Sequence, residues 1–120
     1  MSGLVVLGVA LVAIRSSSAQ VDELDALTVC KDTQKLLFEN ALVRVIDDVI
    51  PPDGREAKHR HPHGLLIAMT ESDNETTTYP AGRTVRSHSK FGAVSWSEPL
   101  IHETHNVGSA ASHFIRIDLK

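Results

Sequence analysis

The sequence predicts one small all-β domain, and three features lead there. A chain of 120 residues has room for one domain and little else. Short runs rich in β-branched residues recur between Pro, Gly, Asn and Asp, which are turn residues. No stretch carries the apolar repeat of a long helix. Six or seven short strands separated by turns make a sandwich or a barrel. Hydrophobic residues at 42% and charged residues at 22% are the balance of an ordinary globular protein.

At the amino terminus, residues 4–14 form an unbroken apolar run. It is shorter than the roughly 20 residues that cross a bilayer. A polar, small-residue stretch follows, and Ser17 and Ala19 fit the small-x-small cleavage rule, with the cut after Ala19. Residues 1–19 therefore read as a signal peptide. A secreted or periplasmic protein is expected, with no stable membrane span once the segment is cleaved. No Lys or Arg precedes the run, so the competing expectation is a buried helix or strand of the domain.

Residues 20–35 read as an N-terminal arm, with one helical turn over 22–27. Residues 42–50 are rich in Val and Ile and predict a strand, ended by Pro51, Pro52, Asp53 and Gly54. The apolar run 64–69 suits a strand covered on both faces, followed by a turn over 71–74. Segments 75–79 and 83–90 predict a solvent-exposed hairpin around Pro80 and Gly82. Gly92 opens a strand with Val94 and Trp96 on one face, Pro99 interrupts it, and 101–106 resumes. Trp96 is expected in the core rather than as a pocket wall. Residues 113–119 alternate cleanly, with Ile115, Ile117 and Leu119 on one face and Phe114, Arg116 and Asp118 on the other.

The net charge of -3 supplies no basic stripe, so nucleic acid is not an expected partner. The lone Cys30 excludes an internal disulfide framework and any cysteine-based zinc finger, and is expected to be a small buried hydrophobe. Asn74, Glu75 and Thr76 spell a glycosylation sequon.

Seven histidines in so short a chain is the unusual count. His59 and His61 are two apart, so on a strand they share a face and supply half of a metal site. His63 continues the spacing, but Pro62 implies an edge or a bulge there. His102 and His105 flank Glu103 and Thr104, one residue short of the zinc-protease helix signature. Three apart on a strand, they face opposite sides, so only one points inward.

These residues resemble the cupin superfamily, small barrels that hold a metal with two short motifs. Gly54, His59 and His61 match the glycine and the His-x-His of the first motif. Gly92, Pro99, His102 and Asn106 match the second, and Gly108 follows as a turn. Phe38, Glu39 and Asn40 before Val43, Arg44 and Val45 look like the first strand of small single-domain cupins, and 117–120 like their last. The likeness covers about residues 36–120 as one cupin domain. It departs in two places: Leu65 and Leu66 stand where the first motif has its acidic ligand, and Pro99 lacks the usual following glycine.

The resemblance implies a jelly-roll barrel (a double-stranded β-helix) of the RmlC-like type. It implies His59, His61 and His102 as ligands of one divalent ion, with zinc, iron, nickel, manganese or copper all compatible. The competing expectation is a site that has lost its metal and keeps its histidines for hydrogen bonding. Three neutral imidazoles leave the ion doubly charged and open to water or an oxygen ligand. Two functions follow: an exported protein binding a metal and a small molecule, or a metal-dependent oxygenase or isomerase. No catalytic residue stands out; Glu98, Glu103 and His105 lie near the motif but read as surface groups. Homodimerisation is implied by resemblance alone, and the polar hairpin does not look like its interface.

Overall fold

The computed structural model describes Gly3 and residues 22–120. The predicted signal segment otherwise lies outside the described residues. Among the described residues, no helix is long and apolar enough to cross a membrane.

The helical turn α1 spans Ala26–Val29, and nine strands follow: β1 Gln34–Glu39, β2 Val43–Ile50, β3 Arg55–His61, β4 Gly64–Ala68, β5 Ser72–Tyr79, β6 Arg83–Ser89, β7 Val94–Ser97, β8 Leu100–Asn106 and β9 Ser112–Leu119. They form two antiparallel sheets, a five-stranded one ordered β1-β2-β9-β4-β7 and a four-stranded one ordered β3-β8-β5-β6. The all-β jelly-roll expectation holds.

Each link has a local cause. Asn40 closes β1 onto β2, its side-chain oxygen accepting from the amides of Leu42 and Val43 at 2.8 and 2.9 Å. Gly54 donates to the Pro51 carbonyl at 2.8 Å and turns β2 into β3. Gly82, at φ +69°, closes the predicted β5–β6 hairpin in a conformation that glycine tolerates best. Gly64 has another role: a Cβ there would lie 2.4 Å from the Ile117 carbonyl oxygen, so β4 and β9 approach closely only without one.

Three expectations need correction. The helical turn sits at Ala26–Val29 rather than 22–27, because Asp25 caps it by accepting from the Thr28 amide. The turn expected at 71–74 is shorter, since Ser72 already begins β5 and pairs with Ser89. The run 64–69 is not covered on both faces. Gly64 and Ala68 are buried, whereas Leu65 and Ile67 lie half-exposed on the outer face of the sheet and Met69 is exposed.

The interior combines a small apolar core, with Ile46 and Ile50 fully buried, and many polar groups. Gln34, Glu56, His59, His61, Asn74, Asn106, Arg116 and Asp118 are all buried. In β9 it is Arg116 and Asp118 that turn inward, while Ile115, Ile117 and Leu119 are half-exposed on the other face. The sequon residue Asn74 is buried and donates to Ser112 at 2.9 Å, so it is not displayed for modification in the folded domain.

Candidate metal centre

β3 and β8 are antiparallel neighbours, and His59 lies directly opposite His102. Between Glu56 and His59 the register slips, with three steps along β3 matched by two along β8. This bulge places one extra residue in β3. His59 and His61, two apart beyond it, keep a common inward face, and both are buried. His102 joins them from β8, whereas His105 faces outward onto Asp53 at 2.8 Å. One histidine of the second group points in, as the period-two reading requires.

The three imidazoles converge. Ring centroids are 4.9 Å apart for His59 and His61, 4.5 Å for His59 and His102, and 5.6 Å for His61 and His102. One nitrogen from each lies within 4.8 Å of the others. The Nε2 atoms of His59 and His102 are 3.0 Å apart. Two nitrogens bound at ~2.1 Å to one ion stand about 3.0 Å apart at right angles and about 3.4 Å apart at the tetrahedral angle. The donor set therefore fits a divalent ion.

The opposite edges of two rings are anchored. His59 Nδ1 meets the Ala57 carbonyl oxygen at 2.7 Å, and His61 Nδ1 meets Asp118 Oδ2 at 3.1 Å. Both acceptors call for a proton on Nδ1, which leaves Nε2 with a free lone pair for a ligand role. Arg116 holds Asp118 from the other side with a short Nε bond and donates to the Pro62 carbonyl at 2.9 Å. His102 Nδ1 is buried and has no partner.

Burial disfavours the charged form of two of the rings. Burial lowers the His61 pKa despite the opposing pull of Asp118. Burial, then the charges of His59 and His61, push His102 down to about 2. Burial would raise the Asp118 carboxyl, but the bond from His61 and the Arg116 charge bring it below its ordinary value. Neutral imidazoles are the form that binds metal.

A cavity of about 620 Å³ opens beside His61, lined among others by Asp25, Arg44, Arg60, Tyr79 and Asp118. Its two arginines are engaged, Arg44 with Asp25 at 2.6 Å and Arg60 with Asp22 at 3.4 Å.

The other motif residues serve the scaffold. Asn106 is fully buried, donates to the carbonyls of Ile50 and Ala110 at 2.9 Å each, and accepts from the Gly108 amide at 2.9 Å. It ties the end of β8 to β2 and to the following loop. His63 is exposed, pairs with Glu98 at 3.1 Å and lies against Trp96, so it stays outside the cluster. Glu103 accepts from the Tyr79 hydroxyl at 2.8 Å. Trp96, expected in the core, is 53% exposed. It lies on β7, an edge strand, opposite Leu65 on the sheet's outer face. Sequence reasoning also passed over Asp118 and Glu56 as interior groups. Their signal, a carboxylate among alternating strand residues, looks like any solvent-facing position.

No protein-family model and no curated protein matches the sequence. Solved structures do. A cupin domain from Bordetella pertussis is 26% identical, with a TM-score of 0.67 over 72% of this chain and 91% of that one. A conserved Klebsiella pneumoniae protein with a double-stranded β-helix domain is 18% identical, with a TM-score of 0.58 over 72% and 74% of the two chains. An RmlC-like cupin family protein from Methanocaldococcus jannaschii is 16% identical, with a TM-score of 0.58 over 72% and 77%. With two antiparallel sheets and these neighbours, the chain has the double-stranded β-helix fold of cupin domains.

Proposed function

We propose that this cupin holds one divalent metal ion on His59, His61 and His102 and uses it to bind a small oxygen-bearing molecule entering beside His61. The observation that carries this is the convergence of three imidazoles whose distal nitrogens are anchored for two of them. A bound ion supplies a Lewis-acid centre with positions left for water or a ligand. The chain's own residues orient His59 and His61, and burial disfavours protonation of His61 and His102. Zinc, iron, nickel, manganese and copper all accept imidazole or mixed ligation, so the donor set leaves the choice among them open.

Two of the nearby acids are occupied, which favours binding over turnover. Asp118 sits between His61 and Arg116, and Glu103 sits on Tyr79. The alternative, an oxygenase or isomerase, needs a proton-transfer group beside the ion. Oxygen uptake by metal-loaded protein with phenols, thiols and enols would reveal it. The binding proposal itself is tested by elemental analysis of protein purified without chelator. About one equivalent of metal, lost in His102→Ala, is expected; equal content in both would refute it.

The same proposal places the protein in an exported compartment, supported by the signal-like residues 1–19, and pairs it as a homodimer. Pairing is supported by an apolar row in register across the five-stranded sheet: Phe38, Val45, Ile117, Leu65 and Trp96. Phe38 and Trp96 are each more than half exposed. A continuous apolar stripe of this kind is more than the scattered exposure of a monomer surface. Mutual burial of the two copies' stripes would also cover the outer side of β4.

A further inference from the structure

A second convergence lies behind His59. One ligand atom each from Cys30, Glu56 and His59 falls within 4.8 Å of the others, and all three residues are buried. The β3 bulge creates it. Residues three apart on a regular strand face opposite ways, but the extra residue returns Glu56 to the inner face with His59. Cys30 arrives from the end of α1. Glu56 Oε2 is held by Gln34 Nε2 at 3.0 Å and by a short bond from the Thr33 hydroxyl.

Two oxygens in this region lack donors. Gln34 Oε1 and Asp48 Oδ1 are buried and unpartnered. Gln34 is 3% exposed, and its amide nitrogen donates to Glu56. The Asp48 carboxyl faces that of Glu56; burial first, then the Glu56 charge, raises its pKa well above the ordinary value. Burial and the same carboxylates push the Cys30 thiol up as well. Orphan buried acceptors beside these groups are costly.

We propose that Cys30 Sγ, a Glu56 carboxylate oxygen and a His59 nitrogen form a second cation position, suited to a thiolate-accepting divalent ion such as Zn²⁺, Cd²⁺ or Co²⁺. Binding displaces the thiol proton to solvent, and thiolate plus carboxylate then balance the ion's two charges. The three-histidine position offers no such balance. While His59 Nδ1 stays on the Ala57 carbonyl, one nitrogen is left to share, so the two positions compete for one ion. The inference touches the metal-binding proposal above only through His59.

Cobalt(II) is the probe. At saturating Co²⁺, a thiolate-to-cobalt charge-transfer band in the near ultraviolet is expected in wild type or, with the three-histidine position dismantled, in His102→Ala and His61→Ala. Adding Cys30→Ser to either histidine variant should remove the band and weaken Co²⁺ binding at least tenfold. Circular dichroism identifies which variants fold, and the wild-type spectrum decides if neither histidine variant does. No band in wild type or in any folded histidine variant overturns the proposal. Failure of the three-histidine reading looks different: His102→Ala and His61→Ala would bind Co²⁺ as tightly as wild type, with the band intact.

Discussion

His61 Nδ1 and Asp118 Oδ2 meet at 3.1 Å inside the barrel, 57 residues apart in sequence, and the carboxylate is itself clamped by Arg116. The contact ties the tautomer of a proposed ligand to a residue on the far sheet. Asp118→Ala should therefore weaken metal binding about 10- to 100-fold. Competition titration with a chromophoric chelator measures it. Unchanged affinity would detach Asp118 from the site.

Metal-free protein should lose stability in mild acid. His61 and His102 are held below the ordinary 6.5, chiefly by burial, so the unfolded chain takes up their protons first as pH falls. Stability therefore declines below about pH 6.5 by ~1.4 kcal/mol per unit for each such proton. Asp48 acts oppositely from 3.8 upward, because its raised pKa keeps a proton on the folded state. In Asp48→Asn, which removes that opposing group, the His102 proton alone gives ~1.4 kcal/mol per unit below about pH 6. Urea melts of chelator-treated protein would show this slope, and a flat profile would contradict neutral buried rings.

Trp96→Glu and Ile117→Glu should break the proposed dimer. Each puts a charge into the apolar row, Ile117 at its middle and Trp96 at its end, and buried interface anchors typically carry 2 kcal/mol or more, about 30-fold in dissociation constant. Val85→Glu, on the exposed face of the hairpin strand β6, should leave association unchanged. Sedimentation equilibrium of the three variants compares them directly. Wild type that stays monomeric at high concentration would refute pairing.

Gly64→Ala should destabilise the fold without touching a ligand. The added carbon would meet backbone at 2.4 Å, and overpacking of this kind costs about 1–3 kcal/mol. Thermal melts in the presence of chelator isolate the effect from any metal.

Much of the architecture was legible because strand chemistry is local. The β-branched run of β2, the hairpin around Pro80 and Gly82, and the His-x-His spacing each depend on neighbours in sequence. Period two also separated His102 from His105. What stayed hidden was which face of a strand is the inside. In β9 the alternation is plain, yet the polar half with Arg116 and Asp118 is the buried one, because this barrel lines its interior with chemistry and leaves Ile115 and Ile117 outside. Trp96 was misplaced for the same reason. Glu56 was invisible because a bulge cannot be read from residue types, and without it Glu56 belongs on the opposite face from His59.

The bulge has a further consequence for how the two first-motif histidines can change over generations. His61 depends on a side chain for its orientation, so a single substitution at Asp118 can retune it. His59 leans on the main-chain oxygen of Ala57, which every amino acid at that position would provide. One ligand's orientation thus hangs on a single side chain, while the other's rests on backbone.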